Sequence, residues 1–514
     1  MKKKIITLAA LALTAATLPA QTLTTLYNFF GDEGSPIGGL ALSTNVLYGI
    51  TGDVMFSINT NGTDYSVLNN FVDQGVIVSP RGNLVLANDA LYGTSTAGGG
   101  YGYGSVFSIN TDGSSLNVLH SFTNTLNGSW PEPYGSLVLF GNRLYGTTFY
   151  GGDDAGDGVG YGTIFSINTN GDDFAELHEF TGGLGGAYPA GGVIVAGDTL
   201  YGTASQGGST NAGIVFSMNI DGSNFAVLHD FTNSPDGASP LSGLILSSDT
   251  LYGTTSAGGD DGSGLFVGTV YSLNIDGSSY KTLSSFSITN ADWDLPGTVG
   301  NLLLSGNTLY GAVFDYAGSE YGSGVIYSLY TDGSAFTVLH RFSFADADSH
   351  GTNDDGAILW ANNLVMSGHT LYGTTSAGGT NGFGTVFALD FQAPPPVIKN
   401  IVYNGSASNS VTISCLGGVG WTYYMQATTN LAASPIPWVT ISTNIPDTNG
   451  FWLVTDSLTN GGFFSFTQTN LVYSDGGGIT PPDPGQSSTN LIGTNVTVNS
   501  YQLRFYRAAT VPAN

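Results

Sequence analysis

The tripeptide Leu-Tyr-Gly occurs seven times in this chain, with its tyrosines at Tyr48, Tyr92, Tyr145, Tyr201, Tyr252, Tyr310 and Tyr372 and similar text around each. Repetition on this scale restricts the fold to a solenoid, an array or a propeller, so it is read before any local motif. One full copy runs from Gly243 to Phe286: GLILSSDTLYGTT, a glycine-rich stretch, then GTVYSLNIDGSSYKTLSSF. It reads as four short strands. LIL and LYGTT flank a two- to three-residue turn and form one hairpin; VYSLN and YKTLSSF flank Asp276-Gly277 and form the next. Asp-Gly recurs as Asp112-Gly113, Asp221-Gly222 and Asp332-Gly333, with Asn61-Gly62 and Asn170-Gly171 as equivalents. Such pairs supply the positive φ that a tight reversal needs. Beyond the first 20 residues no stretch has a helical period.

Successive Leu-Tyr-Gly tyrosines are 44, 53, 56, 51, 58 and 62 residues apart, a span that suits four-stranded propeller blades better than a strict solenoid period. The ends of the array decide between them. The fourth-strand signature, VLHSF at 118–122, VLHDF at 227–231 and VLHRF at 338–342, also appears as LYNFF from Leu26 to Phe30, with no earlier strands before it. The last repeat ends after its third strand, near Phe391. Seven complete blades result only if the ends meet, so residues about 22 to 30 are expected beside Val386 to Phe391. Closure removes two unpaired edges.

The repeated LYGTT, the GG and GxGTVFSIN after it, DGS and VLHxF together resemble the GloVer tandem repeat of secreted bacterial "choice-of-anchor" proteins, over about residues 22–391. The resemblance implies an exported, propeller-like protein and transfers no catalytic residue.

Residues 1–20, MKKKIITLAALALTAATLPA, have three lysines, an apolar core and a small residue at Ala20, the pattern of a secretory signal peptide. The apolar run is short for a membrane-spanning helix, so a secreted or cell-surface protein without membrane insertion is expected. Its removal leaves seven basic against 37 acidic residues, a net charge of −30. No basic patch is left to neutralise phosphates, which argues against nucleic acid and anionic membranes as partners. Cys415 is the single cysteine, so no disulfide forms within the chain and packing between blades must supply stability.

In an up-and-down blade, the connection from second to third strand and the connection to the next blade emerge on one face. The first kind includes TAGGGYGYG (96–104), FYGGDDAGDGVGYG (149–162) and SAGGDDGSGLFVG (256–268); the second includes TNTLNGSWPEPYG (123–135), SITNADWDLPGTVG (287–300) and SFADADSHGTNDDGAILWANN (343–363). Length, acidity and aromatics therefore gather on this loop face, and loop-borne function belongs there. Pro394-Pro395-Pro396 cannot continue a central strand and sets the boundary: signal peptide 1–20, seven-bladed propeller 21–392, linker 393–397, tail domain 398–514. The tail has strand-like runs without the repeat, and a β-sandwich of immunoglobulin-like size is expected. Its YYMQATTNL, Trp438 and RFYRAA resemble a tail module of other secreted bacterial proteins.

Four of the six histidines, His120, His178, His229 and His340, hold one slot in the fourth strand and should diverge around the rim instead of sharing a metal. His350 lies in the longest acidic loop and His369 stands alone. Asp153, Asp154 and Asp157, the pair Asp260 and Asp261, and Asp346, Asp348, Asp354 and Asp355 are candidate calcium ligands, since that ion takes oxygens from flexible loops; solvated acidic loops are the alternative. No EF-hand is completed, because Ala357 stands at the twelfth position after Asp346. Glu33, Glu132, Glu176, Glu179 and Glu320 are the propeller's glutamates. No nucleophile elbow, zinc-binding helix or phosphate loop is present.

The three propeller tryptophans, Trp130, Trp293 and Trp360, fall in or beside connections between blades, and Phe149, Tyr150, Tyr316 and Tyr321 decorate the loops beside them. Exposed rings beside Asp or Asn can stack on a sugar while its hydroxyls are hydrogen-bonded; the alternative is that they plug gaps between blades. The leading expectation is a non-enzymatic binding or cell-envelope scaffold protein that recognises an extracellular glycan or surface protein through Trp130, Trp293, Trp360, Tyr150 and Tyr316. A polysaccharide hydrolase or lyase at the central channel, with Asp or Glu and His350, is the first alternative, and a purely structural surface or adhesive protein the second.

Overall fold

The computed structural model describes residues 21–74, 77–123, 135–152, 160–259, 267–286, 300–314, 324–343, 351–359 and 364–391, together with the strand backbones between 397 and 511. The chain divides into two units, one of which is Leu23–Asp390. That unit is a seven-bladed propeller of antiparallel sheets. Blade 1 contains Ala41–Ser43, Val46–Ile50, Val54–Asn59 and Ser66–Asn70; blade 2 contains Ile77–Ala87, Ala90–Gly98, Ser105–Asn110 and Asn117–Ser121. Blade 3 contains Val138–Phe140, Arg143–Thr148, Thr163–Asn168 and Ala175–Glu179; blade 4 contains Val193–Ala196, Thr199–Ala204, Ile214–Asn219 and Ala226–Asp230. Blade 5 contains Ile245–Ser247, Thr250–Gly259, Val267–Asn274 and Lys281–Ser285; blade 6 contains Leu303–Ser305, Thr308–Phe314, Gly324–Tyr330 and Thr337–Arg341. Blade 7 takes Val365–Ser367, Thr370–Thr375 and Thr385–Phe391 from the end of the array and its fourth strand, Gln21–Asn28, from the start.

Register explains the tripeptide. In every blade its glycine faces an aromatic residue of the third strand, as Gly146 faces Phe165 and Gly202 faces Phe216. The ring lies over the glycine: a Cβ on Gly146 would sit 2.6 Å from Phe165 Cζ. Leucine is buried in its own blade, and tyrosine reaches the core of the following one. Tyr145 packs with Leu200, Phe216 and Met218 of blade 4, and Tyr252 with Leu309 and Val325 of blade 6. Each such contact shields apolar area that a free blade would expose, at roughly 25 cal/mol per Å².

A bulge between third and fourth strands skips one residue in each of blades 1 to 6, for example between Val106 and Phe107, so that Val106 faces His120 and Phe107 faces Val118. After the bulge, the phenylalanine that follows the fourth strand donates its backbone N–H to the carbonyl of a glycine at or just before the start of the third strand: Phe122 to Gly104 (3.0 Å), Phe180 to Gly162 (2.9 Å), Phe231 to Gly213 (3.0 Å) and Phe342 to Gly324 (2.9 Å). Phe29 makes the same bond to Gly384 (3.0 Å), so the N-terminal strand reproduces an internal fourth strand atom for atom at this point. Phe29 is buried with Leu40, Phe56, Tyr372 and Val386, a core shared by the last and first blades. The expected closure is thus present.

Two features go beyond the reading of the sequence. Phe71–Gln74 forms a single helical turn. The segment entering each of several blades also pairs alongside the second strand's extension, as at Pro36↔Thr51, Pro80↔Ser95, Ala187↔Gln206, Ala238↔Ala257 and Ala357↔Ala377. These pairings join the two long connections of a blade, so they share one face as expected.

In the other unit, strands pair as a three-stranded sheet (Val397–Tyr403, Ser410–Leu416, Phe451–Ser457), a four-stranded sheet (Val439–Asn444, Thr422–Thr428, Leu503–Val511, Phe463–Phe464) and a two-stranded one (Phe466–Thr469, Leu491–Thr494). It is all-β, like the propeller.

Candidate functional site

Around the axis, the residues that lead into the first strands touch their neighbours in sequence. Gly39 N donates to Asn83 Oδ1 (2.8 Å), Asn83 Nδ2 to Ser136 Oγ (2.7 Å), Gly243 N to Asn301 Oδ1 (2.6 Å), and Thr374 Oγ1 to the Gly38 carbonyl (3.2 Å). Thr203 Oγ1 reaches the Ser242 carbonyl (3.0 Å). Glycine permits the approach: a Cβ on Gly38 would stand 2.5 Å from the Gly82 carbonyl oxygen, and one on Gly135 2.7 Å from Gly192 N. These axial groups are thus amides and hydroxyls engaged with one another, whereas Thr147 Oγ1, beside Gly135, is buried with no hydrogen-bond partner among the described residues.

The histidine slot has a structural use. His120 lies parallel on Phe174 of blade 3 (centroids 3.6 Å, 1°), His178 on Phe225 of blade 4 (4.0 Å, 6°), and His229 on Tyr280 of blade 5 (3.8 Å, 1°). Each imidazole joins its blade to the next. Burial pushes the His120 imidazole down to about 4, and lowers His178 and His229 against the opposing charges of Glu179 and of Asp236. His229 Nε2 stands 3.3 Å from Asp236 Oδ2, a charge contact without the alignment of a hydrogen bond, and His340 Nε2 stands 3.2 Å from Asp355. Asp355 also accepts from Ser343 N (3.1 Å). Its burial would raise the carboxyl's pKa, but the bonds from His340 and Ser343 outweigh that and leave it lowered. This carboxylate is thus a clasp between blades 6 and 7.

Among the described residues no group of three or more His, Cys, Asp or Glu could hold a metal. The candidate calcium ligands Asp153, Asp154, Asp157, Asp260, Asp261, Asp346 and Asp348 lie outside the described residues, as do His350, Trp130, Trp293, Trp360, Tyr316 and Tyr321. Tyr150 is described, and it belongs to a cluster.

The cluster arises where the loop face departs from the repeat. In blades 2, 4, 5 and 7 the residue after the second strand's buried end is a hydroxyl residue that grips a carbonyl of the incoming segment: Thr96 to Ser79 (3.2 Å), Ser205 to Tyr188 (2.9 Å), Ser256 to Ser239 (2.9 Å) and Ser376 to Ile358 (3.1 Å). The gripped residue is left-handed each time, with φ 51°, 59°, 53° and 60° in chain order. Blade 3 carries Phe149 in the place of the hydroxyl, as blade 6 carries Phe314, and Tyr150 in that of the next residue, where blades 2, 4, 5 and 7 carry Ala or Gln. Blade 4 carries Tyr188 where blades 2 and 5 carry serine. A bulky residue at positive φ is unfavourable, and the surrounding hydrogen bonds must hold it there. Tyr188 N donates to the Tyr161 carbonyl (2.8 Å) and its own carbonyl accepts from Ser205.

The departing rings meet. Phe149 lies nearly parallel to Tyr188 (5.2 Å, 26°); Tyr150 stands across both (4.8 Å, 86° and 5.6 Å, 78°), and Tyr161 tilts against Tyr188 (5.8 Å, 58°). Thr148 Oγ1 fixes the Tyr150 backbone by donating to its carbonyl (2.7 Å). All four side chains are half-buried. Leu184, 71% exposed, lies on the same incoming segment as Tyr188, and Glu179 borders the turn after Tyr150, its Cβ 3.6 Å from where a Cβ on Gly152 would be. Direct ring contact leaves no space for a guest between the rings, so a ligand can only lie on their outer surface. Sequence reading found Tyr150 and Phe149 but missed Tyr161 and Tyr188; comparing each repeat slot would have exposed Tyr188 as the odd residue.

Residues 52–267 match the model of the Gloeobacter/Verrucomicrobia repeat, in agreement with the resemblance read from the motifs. No curated protein matches the chain. Among solved structures, it is similar to the extracellular domain described for a one component system of B. thetaiotaomicron (11% identity, TM-score 0.46, covering 87% of this chain and 54% of that one). A protein described as a 6-phosphogluconolactonase of Bacteroides uniformis gives 13% identity and a TM-score of 0.42, covering 82% of this chain and 100% of the other. A chain of a nidogen/laminin complex gives 14% identity and 0.36, covering 58% and 92%. At these values nothing is carried from them to this chain.

Proposed function

We propose that this propeller of Gloeobacter/Verrucomicrobia repeats is an exported, non-enzymatic binding protein that holds an extracellular glycan on the loop face, with blade 3 and blade 4 forming the contact. The observation that supports the reading is the cluster Phe149, Tyr150, Tyr161 and Tyr188, three of whose rings replace the small or polar residues used at most equivalent slots. Residues that break a repeat's local rule mark places where selection acted on something other than the fold. A preformed aromatic surface loses little conformational freedom on binding, and a carboxylate such as Glu179 at its border can accept sugar hydroxyls. The tryptophans Trp130, Trp293 and Trp360 would widen the same face.

The test is a glycan array with the secreted chain, followed by calorimetry with the best polysaccharide. Each of Phe149→Ala and Tyr150→Ala should weaken binding about two- to twelvefold, from roughly 0.5–1.5 kcal/mol per stacked ring. Retention of no glycan by the parent protein, or equal affinity in Tyr150→Ala, would remove the reading and leave a protein partner or a scaffold role.

A further inference from the structure

The last residue of each fourth strand holds one slot around the ring: Asn70, Ser121, Glu179, Asp230, Ser285 and Arg341 in blades 1 to 6, and Asn28 in blade 7. In this slot a side chain anchors the connection between the second and third strands of its own blade. Asn28 Oδ1 accepts from Thr380 N (2.8 Å), Ser121 Oγ from Gly100 N (2.9 Å) and Asp230 Oδ2 from Ser209 N (2.9 Å). Glu179 stands against the same connection at Gly152, its Cβ 3.6 Å from where a Cβ on that glycine would be. Neutral side chains suffice for the anchor in blades 2 and 7, so the negative charge in blades 3 and 4 is more than the fold needs. Those two blades carry the aromatic cluster. Glu179 reaches the turn that follows Tyr150. Asp230 reaches Gly208, whose N–H donates to the Gly183 carbonyl (2.8 Å) on the segment that carries Leu184 and Tyr188. A Cβ on the preceding Gly182 would lie 3.3 Å from the Tyr161 ring. The cluster thus has a half-buried carboxylate at each border.

We infer that the glycan held on this cluster carries free amino groups, whose ammonium charges Glu179 and Asp230 receive while the rings stack on the sugar faces. The inference rests on the proposed glycan surface and names its substrate class.

The distribution of cations agrees. Between Arg143 and Lys281 the sequence has fifteen Asp or Glu and no Lys or Arg. The propeller's four basic residues lie elsewhere. Arg143 points to the tight-turn face, where it donates to Asn168 Oδ1 (3.3 Å) and to the Asp173 carbonyl (2.8 Å), and Lys281 donates to the Asp332 carbonyl in a turn of the same face. Arg81 belongs to blade 2 and Arg341 to blade 6. Burial lowers His178 and His229, so at neutral pH neither imidazole offsets the carboxylate next to it. A sugar acid meets repulsion on such a surface. An ammonium gains charge-assisted hydrogen bonds and the negative faces of the rings, and an acetylated amine loses both.

The experiment is calorimetry of the full secreted chain with three oligosaccharides of equal length: β-linked glucosamine, its N-acetylated form and galacturonate. The glucosamine oligomer should bind at least about fivefold more tightly than the acetylated one at low salt, from two partly exposed ion pairs and a cation on an aromatic face. Added salt should shrink that preference, and galacturonate should bind least. The double variant E179Q/D230N keeps acceptors for the backbone and should cut the preference at least about twofold. D112N/D221N removes the same charge from the opposite face, reproduces the Asn61 and Asn170 of equivalent turns, and should keep the preference. Equal affinity for the glucosamine and acetylated oligomers, or tighter binding of galacturonate, overturns the inference and leaves the glycan surface standing. So does a preference that survives in E179Q/D230N or falls equally in D112N/D221N, since the attraction would then belong to the acidic chain at large. An oligolysine of equal charge that binds as tightly as the amino sugar overturns it in favour of a basic protein. Retention of no sugar at all by the parent removes the proposed function, and this inference with it.

Discussion

At two positions the repeat exchanges its third-strand phenylalanine for tyrosine. Blades 1, 2, 3, 4 and 7 use Phe56, Phe107, Phe165, Phe216 and Phe387; blades 5 and 6 use Tyr271 and Tyr327. Both tyrosines are completely buried, and neither hydroxyl has a hydrogen-bond partner among the described residues. Burial raises both phenols far above their ordinary pKa, so they stay neutral and still lack an acceptor. An unsatisfied buried hydroxyl costs about 1–3 kcal/mol, and phenylalanine already fits the slot elsewhere. Tyr271→Phe and Tyr327→Phe should therefore each raise the unfolding free energy by about 1 kcal/mol or more in denaturant titrations. A loss of stability would mean that an internal water satisfies the hydroxyl. The glycine facing these rings behaves oppositely: Gly146→Ala puts a methyl against Phe165 and should destabilise by about 1–3 kcal/mol, the usual cost of overpacking. Much of this was legible in the sequence, since Leu-Tyr-Gly announced a position that only glycine fits. Tyr188 was legible only by comparing slots, since Ser79-Pro80 and Ser239-Pro240 hold serine where it precedes Pro189, and its φ of 59° and its ring neighbours show what the exchange does.

Among the elements, the N-terminal strand Gln21–Asn28 has the most demanding task, since it alone joins a blade by no covalent neighbour within that sheet. Its Tyr27 and the Tyr65 of blade 1 both donate to one oxygen of Glu33 (2.9 and 2.8 Å), whose other oxygen takes the Phe30 N–H (3.0 Å). Burial first, and then the Glu33 carboxylate, push the Tyr27 phenol up to about 12. Thr380 N adds a bond to Asn28 Oδ1 (2.8 Å). Glu33→Ala strands two hydroxyls and should cost about 1–3 kcal/mol, whereas Glu33→Gln keeps an oxygen that can accept from both and should retain most of the stability. Thermal unfolding of the two variants beside the parent checks this; equal loss in both would show that charge and not the acceptor matters. The strand itself was legible, because LYNFF repeats the pattern of VLHSF without the strands that should precede it. The carboxylate that clasps it was not, since Glu33 belongs to a loop whose partners, at positions 27 and 65, are brought together only by ring closure.

For the whole molecule, the order of blades is set locally and the circle is set by one distant pairing. Six junctions join blades consecutive in sequence, while the circle closes inside blade 7, where Phe29 bonds Gly384 and Thr25 bonds Asp354 (3.0 Å) across almost the entire array, and the seventh junction buries Phe29 with Leu40, Phe56 and Val386. The repeat made the blade count and the shared loop face readable, because spacing and turn residues are local properties. The placement of the aromatic cluster needed the docking of neighbouring blades, since the rings at 149, 150 and 161 meet that at 188 only when blade 4 packs on blade 3. A chain lacking residues 21–30 should keep most of its strands but expose the third strand of blade 7, Thr385–Phe391, and uncover Leu40, Phe56 and Val386, which Phe29 covers. An unpaired edge of that kind recruits a strand from elsewhere, so the truncated protein should self-associate in light scattering while its far-ultraviolet circular dichroism stays close to that of the parent. A synthetic peptide of residues 21–30 should restore the monomer, and the same peptide with Phe29→Ala should bind at least an order of magnitude more weakly, since removing a buried phenylalanine side chain costs about 3–5 kcal/mol. A truncated chain that remains monomeric and as stable as the parent would show that the junction between blades 7 and 1 holds without its outer strand, and that the circle is maintained by the axial glycine contacts instead.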